Sequence, residues 1–358
     1  MISASDMAYM SLALTLAAGG KGSTSPNPMV GCVILKNGRM IGQGFHAKAG
    51  GPHAEMVALT EAGEAANGAT LVVTLEPCCH HGKTPPCTDA IIKAGIQHVI
   101  IAAKDPNPLV AGKGIAALKA AGIQVTENVM AEEANALNVV FNHYITTKTP
   151  YVTAKWAMSL DGQTITHPDD TRQITEIASL THAHTKRSTV DALLIGANTA
   201  RKDNPQLTAR DPETGTLKGK QPRRLILSAN GELPLHLRLL NKPLAENTWV
   251  ITSDKAKPSF HQALNDQGVK TIVVEAQANG DIHLPALMET LGQQAITSLL
   301  VEGGMTTLRA FFKANLVHAI DVYLAPVIIG DLNQKKTIQL QAPEPLGRDF
   351  YLSGAWHV

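Results

Sequence analysis

The chain has 358 residues, which at roughly 150 residues per domain predicts about two domains, each large enough to bury its own core. Hydrophobic residues make up 44% and charged residues 17%, which is typical of an α/β protein and excludes a disordered or fibrous chain. Lysine plus arginine (31) nearly balances aspartate plus glutamate (30), and the net charge of +1 gives little long-range attraction for a polyanion. We therefore expect no nucleic-acid partner.

The four cysteines also limit the possible function. They lie at positions 32, 78, 79 and 87, whereas a secreted disulfide framework distributes its pairs along the chain. This clustering predicts a reducing compartment and a local metal or redox site. The apolar stretch 7–18 follows Asp6 and has no Lys or Arg before Lys21, so we interpret it as a first helix rather than a signal sequence. No run approaches the roughly 20 apolar residues of a membrane span, and we expect a cytoplasmic protein with no membrane partner.

The first half alternates strand and helix patterns. Two apolar runs, 30–35 and 40–45, flank Asn37-Gly38, a dipeptide suited to a tight hairpin turn. The elements predicted after this hairpin are, in chain order, a helix at 53–66, a strand at 70–75, a helix at 86–93, a strand at 98–102, a helix at 112–121, a strand at 123–129 and a helix at 131–144. A polar stretch that ends at Pro150 follows. We therefore predict one domain over 1–146, a linker over 147–150 and a second domain over 151–358.

The second half begins again with a strand. The predicted strands are 151–158, 191–195, 224–227, 248–251, 271–274 and 298–301, with helical patterns between most of them. This arrangement is typical of a mostly parallel sheet covered by helices. Two late runs, 319–329 and 349–358, are expected to add antiparallel edge strands.

One imidazole and two thiols of the first half can converge at helix N-termini. His53 opens a predicted helix, Cys78 follows a predicted strand, and Cys87 begins the next helix. Such a set leaves the fourth tetrahedral position of a zinc ion to water, whose pKa zinc lowers to about 7. Glu55 would not be a ligand, but its carboxylate could take the proton of that water and deliver it to a leaving amine. The pattern predicts a zinc site for hydrolytic deamination.

A structural zinc site is the alternative. A fourth ligand would close it, and the candidates are Cys79, His80, His81 and His46. The catalytic interpretation is favoured because His-x-Glu followed by Pro-Cys and a second Cys matches the signature of zinc nucleobase deaminases. Eight residues separate Cys78 from Cys87, however, whereas that signature has Pro-Cys-x-x-Cys, and this departure indicates one particular branch.

Several motifs of the first half occur together. They are Asn27-Pro28-x-Val30-Gly31, Gly44-x-His46, His53-Ala54-Glu55, Glu76-Pro77-Cys78-x-His80-His81-Gly82-x-Thr84-Pro85-Pro86-Cys87, Asp105-Pro106-Asn107-Pro108 and Gly112-x-Gly114. Together they resemble the deaminase half of bifunctional riboflavin-biosynthesis deaminase-reductases. The resemblance implies a cytidine-deaminase-like three-layer αβα domain. It also implies that zinc is bound by His53, Cys78 and Cys87, that Glu55 shuttles the proton, and that Asn27 and His46 line the pyrimidine pocket.

In the second half, a predicted strand ends in Glu302-Gly303-Gly304. The two glycines precede a helical stretch at 306–314, so bare backbone amides at a helix N-terminus could receive a pyrophosphate. Turn glycines with a purely structural role would have the same spacing. The segment Lys155–Gly162 lies at the end of the first strand of this half, the edge at which open α/β sheets usually bind ligands.

Three motifs extend the resemblance to the reductase half of the same family. They are Lys155-x3-Ser159-Leu160-Asp161-Gly162, Gly196-x-x-Thr199-x3-Asp203-x-Pro205-x-Leu207-Thr208-x-Arg210 and Val301-Glu302-Gly303-Gly304. The resemblance implies a dihydrofolate-reductase-like α/β fold. It implies NADPH-binding residues at Ala157, Gln173, Thr199, Asp203, Ala229, Gly304, Met305, Thr306, Thr307, Leu308, Arg309 and Ala310. The substrate-binding residues that it implies are Thr171, Arg187, Leu207, Arg210 and Glu302.

The chemistry of these residues suits a reductase. Arg187 and Arg210 can each donate two parallel hydrogen bonds to a ribose phosphate. Lys155, Asp203 and Glu302 are candidates to polarise the sugar carbon and handle its proton while a nicotinamide donates hydride, with Lys155 and Asp203 taken as catalytic. Relatives often have an aromatic residue where this chain has Gln173, so we expect an aromatic platform near the nicotinamide to be missing.

The sequence thus predicts a two-domain enzyme of riboflavin biosynthesis. The first domain would deaminate 2,5-diamino-6-(5-phosphoribosylamino)pyrimidin-4(3H)-one with zinc, and the second would use NADPH to reduce the ribosyl group to a ribityl chain. Two alternatives remain at this point. One is a deaminase whose second domain only binds a ligand or partner, and the other is a zinc-stabilised interaction protein without catalysis. The resemblance further suggests a homo-oligomer.

Overall fold

The computed structural model describes residues 3–79, 85–108, 110–164, 174–330, 336–346, 349–351 and 354–356. Its contacts divide the chain into two compact units. The N-terminal unit comprises Met1–Tyr151 together with Met288–Thr297, and the C-terminal unit comprises Val152–Leu287 and Ser298–Val358. The short segment Met288–Thr297 therefore packs with the N-terminal unit although it lies late in the sequence. Its packing includes a hydrogen bond of 3.1 Å from the Tyr144 hydroxyl to the Gly292 carbonyl.

The N-terminal unit is built on a five-stranded sheet with the order β2-β1-β3-β4-β5. Its strands are β1 (Gly31–Lys36), β2 (Arg39–Phe45), β3 (Thr70–Leu75), β4 (His98–Ala103) and β5 (Gln124–Thr126). The β1–β2 hairpin turns at Asn37 and Gly38, which both have positive φ, 53° and 74°, as the Asn-Gly dipeptide predicts. β3, β4 and β5 run parallel to one another, so the carboxyl ends of β3 and β4 lie at the same edge of the sheet.

Helices cover both faces of this sheet. They are α1 (Ala4–Ala18), α2 (Ala54–Ala62), α3 (Cys87–Lys93), α4 (Lys113–Ala120), α5 (Ala131–Leu137) and α6 (Val139–Thr147). Alternate strand residues point to opposite faces. Cys32 and Ile34 of β1 pack in the core formed with α2, α3 and α4, whereas Val33 packs in the core formed with α1, α5 and α6. The result is the predicted three-layer αβα domain.

The predicted helix over 131–144 is in fact two helices, which meet at Asn138. The φ of Asn138 is −103° and its ψ is 22°, outside the helical range. Its side chain is buried and makes two hydrogen bonds of 2.8 Å with the backbone of Met29, one to the carbonyl and one from the amide. This tertiary contact ends α5, and nothing in the local sequence pattern indicates it.

The C-terminal unit is built on a seven-stranded sheet with the order β10-β9-β8-β7-β11-β6-β12. The strands are β6 (Tyr151–Ser159), β7 (Ala192–Gly196), β8 (Arg223–Leu227), β9 (Thr248–Ser253), β10 (Lys270–Val274), β11 (Ser298–Val301) and β12 (Ala319–Ala325). The expectation that the run 319–329 is antiparallel is wrong for β12, which pairs parallel to β6. Helix α11 (Met305–Lys313) returns the chain across the sheet before β12 begins, as parallel pairing requires.

The other helices of this unit are α7 (Ile177–Thr189), α8 (Ala197–Asp203), α9 (Pro258–Asp266) and α10 (Leu284–Gln293), of which α10 extends into the segment that packs with the N-terminal unit. Short antiparallel strands follow β12: β13 (Val327–Ile328), β14 (Lys336–Leu340), β15 (Glu344–Leu346), β16 (Asp349–Tyr351) and β17 (Gly354–Trp356). β16 and β17 fall in the predicted run 349–358 and are antiparallel as expected, but they lie in two small separate sheets and not at the edge of the seven-stranded sheet. Within the described ranges, no helix has the length and apolar character needed to cross a membrane.

Candidate active sites

Three predicted metal ligands converge in the N-terminal unit. His53 is the N-cap of α2, Cys87 is the first residue of α3, and Cys78 follows the end of β3 by three residues. The Nδ1 atom of His53 lies 3.2 Å from Sγ of Cys87 and 3.6 Å from Sγ of Cys78, and all three ligand atoms lie within 4.8 Å of one another. This separation suits three ligands of one ion.

The pKa values of the three side chains in this cluster suit the binding of a zinc ion. A hydrogen bond from Cys87 lowers the pKa of Cys78 to about 4. The same hydrogen bond, together with burial, raises the pKa of Cys87. The hydrogen bond with Cys78 raises the pKa of His53. One of the two thiols is therefore already favoured as a thiolate. The His-Cys-Cys set would lose its remaining protons when a metal ion binds, and zinc prefers such nitrogen and sulfur ligands.

A fourth protein ligand is not found among the described residues. The cluster contains His53, Cys78 and Cys87 but neither Cys79 nor His46. Both ring nitrogens of His46 are engaged elsewhere, Nδ1 at 2.9 Å from the Pro52 carbonyl and Nε2 at 3.1 Å from the Asn27 amide nitrogen. The other two candidates, His80 and His81, lie outside the described residues. The described part of the site thus has the open layout of a catalytic zinc centre.

Glu55 is the second residue of α2, two positions after His53, and its carboxyl makes a hydrogen bond with Cys87. The residue is only 4% exposed, and burial raises the pKa of its carboxyl. A carboxylate in such surroundings accepts a proton more readily at neutral pH than an exposed one does. Glu55 can therefore hold a proton between two steps of a hydrolytic reaction.

The cluster opens into a cavity of about 470 Å³, which is large enough for a pyrimidine nucleotide-sized ligand. Its walls include the predicted residues Asn27, His46, His53, Glu55 and Cys78. They also include Glu76, Asp105, Asn107 and Tyr144, which were not predicted as site residues. The available signal for Glu76 and Asp105 was their position just after two parallel strands, β3 and β4.

Asn27 and His46 form an ordered pair in this cavity. Nδ1 of His46 must donate to the Pro52 carbonyl, because a carbonyl oxygen can only accept. Burial lowers the pKa of His46, so the neutral ring leaves Nε2 as the acceptor for the Asn27 amide. The Oδ1 atom of Asn27 then remains as an acceptor. This arrangement fixes both the histidine tautomer and the orientation of the Asn27 amide.

A buried ion pair organises the second predicted site. Nε and Nη2 of Arg187, on α7, donate at 2.8 and 2.7 Å to the two carboxylate oxygens of Glu302, which follows β11. Nζ of Lys155, on β6, lies 3.8 Å from the same carboxylate and 5.2 Å from the centre of the Tyr323 ring. Burial alone would raise the pKa of Glu302, but the charge and hydrogen bonds of Arg187, together with the charges of Lys155 and His184, outweigh it and lower the pKa to about 2. Glu302 is therefore an anion that holds two cations together.

In this structure Arg187 is not free to donate two parallel hydrogen bonds to a phosphate, and its predicted contact with substrate stays a prediction. Two donors of Arg187 bind Glu302, and a third donor, Nη1, bonds to the Thr208 carbonyl at 3.2 Å. Arg210 is less constrained, since Nη1 makes one bond of 2.9 Å to the Thr208 hydroxyl. Leu207 is 4% exposed with its side chain in the core, and its φ of 53° is unusual for leucine. Any substrate contact of Leu207 would come from its backbone.

The predicted cofactor residues lie near the carboxyl ends of parallel strands. Thr199 on α8 accepts a hydrogen bond of 3.0 Å from the Gly304 amide, directly before α11. Gly304 is the N-cap of α11, and the predicted residues Met305, Thr306, Thr307, Leu308, Arg309 and Ala310 form the start of that helix. Ala157 lies near the end of β6, and Ala229 follows β8. Backbone amides at such a helix start favour phosphate groups.

Some predicted residues are not joined to this site. Asp203 is exposed at the end of α8, and among the described residues no hydrogen bond or ion pair connects it with Lys155 or Glu302. Thr171 and Gln173 lie outside the described residues, so the predicted absence of an aromatic platform stays a prediction.

Family models match both halves of the chain. Residues 3–103 match the cytidine and deoxycytidylate deaminase zinc-binding region, and residues 150–348 match the RibD C-terminal domain. The fold and the two sites therefore define a zinc-dependent deaminase domain followed by a reductase domain.

Relatives match over nearly the whole chain. The riboflavin biosynthesis protein RibD of Aquifex aeolicus (strain VF5) is 45% identical over 331 residues, which cover 92% of this chain and 90% of that protein. That of Escherichia coli (strain K12) is 40% identical over 334 residues, covering 91% and 89%. The chain belongs to the RibD family of riboflavin biosynthesis proteins. It is a bifunctional enzyme, a zinc-dependent deaminase and an NADPH-dependent reductase, so a deaminase with a second domain that only binds a ligand is not favoured.

Solved structures agree with this assignment. Acinetobacter baumannii RibD, form 2, is similar with a TM-score of 0.81 and 38% identity, covering 99% of both chains. A diaminohydroxyphosphoribosylaminopyrimidine deaminase/5-amino-6-(5-phosphoribosylamino)uracil reductase from Thermotoga maritima has a TM-score of 0.77 and 34% identity, covering 97% of both. The predicted order of an αβα deaminase domain and a reductase domain is confirmed.

Proposed function

We propose that the two domains act in succession on one small molecule, a pyrimidine that carries a ribosyl phosphate. The N-terminal domain hydrolyses one amino group of 2,5-diamino-6-(5-phosphoribosylamino)pyrimidin-4(3H)-one. The C-terminal domain then reduces the ribosyl group of the product to a ribityl chain. The substrates are those in the name of the Thermotoga maritima relative.

For the deaminase step, His53, Cys78 and Cys87 would hold zinc, which supplies the Lewis acidity that lowers the pKa of a water ligand to about 7. Glu55 takes the proton of the attacking water on a carboxylate oxygen and delivers it to the leaving amine. Its burial supports this role because it raises the pKa of the carboxyl toward the working range. Asn27 and His46, held in one orientation by their mutual hydrogen bond, position the pyrimidine ring.

For the reductase step, NADPH would lie along Thr199 and the start of α11 and supply hydride. Lys155 is the residue proposed to donate a proton to the sugar, since its side chain is only 18% exposed and its ammonium group lies beside the buried pair. Glu302, which is itself held by Arg187, attracts the Lys155 ammonium group by charge. Arg210 contacts the phosphate of the substrate, and Asp203 is proposed to act only once substrate and cofactor are bound.

The convergence of His53, Cys78 and Cys87 beside Glu55 carries the proposal for the deaminase. Ammonia release from the diamino substrate by zinc-loaded protein tests it, with a Glu55→Gln variant alongside. We expect the variant to keep its zinc, measured by atomic absorption, and to lose activity by at least about a hundredfold. Undiminished ammonia release from Glu55→Gln would remove Glu55 from the mechanism.

We further propose that the enzyme works in the cytoplasm as a homo-oligomer, without a nucleic-acid or membrane partner, and that its domains are divided at 147–150. All four cysteines are free thiols, and zinc-binding thiolates persist in a reducing compartment. Sedimentation equilibrium tests the oligomeric state. A single species of 38.0 kDa would contradict it.

A further inference from the structure

Glu76 is a buried carboxylate in the wall of the deaminase cavity for which the reaction described above has no use. It follows directly after β3 and precedes Pro77 and the ligand Cys78. Its side chain is 3% exposed. A carboxylate is costly to bury unless hydrogen bonds satisfy its oxygens, so its partners indicate what it does.

Three backbone amides of one neighbouring segment donate hydrogen bonds to this carboxylate. Oε2 accepts from the amides of Asp105 at 3.2 Å and Gly112 at 2.9 Å. Oε1 accepts from the amide of Ile115 at 3.1 Å. Glu76 therefore binds both ends of the loop that connects β4 with α4.

The same bonds cap helix α4. Gly112 is its N-cap, with φ of 88° and no side chain that could accept a hydrogen bond. Ile115 is the third residue of the helix, whose amide an N-cap side chain usually satisfies. Glu76 supplies this acceptor from the neighbouring strand, and its negative charge is favourable at a helix N-terminus.

A second contact holds α4 at the same place. A Cβ atom on Gly114 would collide with the carbonyl oxygen of Pro77 and would lie 3.2 Å from Cγ of Glu76. The start of α4 is thus packed directly on the Glu76-Pro77 backbone. The loop held in this way contributes Asp105, Asn107 and Val110 to the wall of the cavity.

We propose that Glu76 is a positioning residue for deamination: it holds the Asp105–Asn107 wall of the substrate cavity against the strand end that carries Cys78. This inference rests on the proposed function of the cavity. Two tasks within the site then belong to different residues. Residues on α2 and α3 hold the metal and move the proton, and Glu76 sets the distance of the opposite wall, which contacts substrate without taking part in bond breaking.

Glu76→Gln is the test, because an amide has one acceptor atom where the carboxylate has two. Whichever way the amide is oriented, its NH2 group faces at least one backbone amide that also donates. Loss of a buried charged acceptor weakens the loop, and we expect KM for the diamino substrate to rise at least about tenfold while kcat stays within about threefold. Zinc content should not change, nor should reduction of the already deaminated substrate.

Two further variants complete the experiment. Glu64→Gln, an exposed glutamate of the same domain, is the matched control and should keep the wild-type KM. Glu76→Asp keeps the charge on a shorter side chain and should recover part of the KM. If Glu76→Gln does not fold, the KM of Glu76→Asp alone tests the proposal. A higher KM with kcat retained would support it, and a wild-type KM would overturn it.

Other outcomes separate this inference from the function on which it rests. Lower thermal stability of Glu76→Gln with an unchanged KM would show that Glu76 has only a structural role. A fall in kcat together with zinc loss would mean that it acts through Cys78, and either result overturns the positioning role. A wild-type enzyme that releases no ammonia would instead overturn the proposed function.

Discussion

Replacing Glu302 with glutamine is expected to destabilise the C-terminal unit by about 3 kcal/mol. The Glu302 side chain is 7% exposed and that of Arg187 is 14% exposed, so water screens their interaction little. Removing one partner of a buried ion pair costs about 3–5 kcal/mol, because the other charge stays buried without its counter-ion. The lower end of that range applies because glutamine keeps one acceptor oxygen for the two donors at 2.7 and 2.8 Å.

Tryptophan fluorescence during urea unfolding measures this effect. All three tryptophans, Trp156, Trp249 and Trp356, belong to the C-terminal unit, so the signal reports on that unit alone. Asp211→Asn is the control, since it breaks an ion pair with Lys218, whose side chain is 51% exposed, and should change the free energy of unfolding by less than about 1 kcal/mol. A loss below about 1 kcal/mol for Glu302→Gln would refute the reasoning, since that is the value of an exposed pair.

The same pair has a pH signature. The pKa of Glu302 is lowered from 4.5 to about 2, so its charge stabilises the folded state fully above about pH 4.5. This stabilisation is lost as the pH falls from 4.5 toward 2. The difference in unfolding free energy between wild type and Glu302→Gln should therefore narrow over this interval. A difference that stayed constant would show that the charge does not contribute.

Two other substitutions test the account of each unit. Asn138→Ala removes both hydrogen bonds to the Met29 backbone and should lower the free energy of unfolding of the N-terminal unit by about 2 kcal/mol. Unfolding is measured by circular dichroism, and an unchanged transition would contradict the role given to this contact. Thr199→Val keeps the shape of the side chain but leaves the Gly304 amide without its acceptor, so KM for NADPH should rise several-fold while deamination is unaffected. An unchanged KM for NADPH would place the cofactor away from α11.

The sequence predicted those parts of the fold that depend on local patterns. The β1–β2 hairpin follows from Asn37-Gly38, and β3 from an apolar run with clear ends. The break at Asn138 could not be predicted, because its cause is a backbone more than 100 residues away, at Met29. The direction of β12 was predicted wrongly because an apolar strand pattern does not distinguish parallel from antiparallel pairing.

The site shows the same division. The His-x-Glu and Pro-Cys motif identified the residues of the metal cluster, although eight intervening residues gave no geometric reason for Cys87 to return to Cys78. The ion pair between Arg187 and Glu302 could not be predicted from the sequence, because the two residues are 115 positions apart. Taken alone, Arg187 suits the binding of an anion and Glu302 suits proton transfer. Glu76 was missed for a related reason. Its partners are backbone amides, which carry no sequence signal.

The central claim is that one chain carries two separate active sites that work in a fixed order. Mixing two inactive variants tests it most directly, with NADPH absorbance followed from the undeaminated substrate. Glu55→Gln alone and Lys155→Met alone should each consume no NADPH, whereas their mixture should, because the first variant keeps the reductase and the second keeps the deaminase. If the mixture stays inactive while Lys155→Met still releases ammonia, the account of the reductase site is contradicted. NADPH consumption by Glu55→Gln alone would contradict the proposed order of the two reactions.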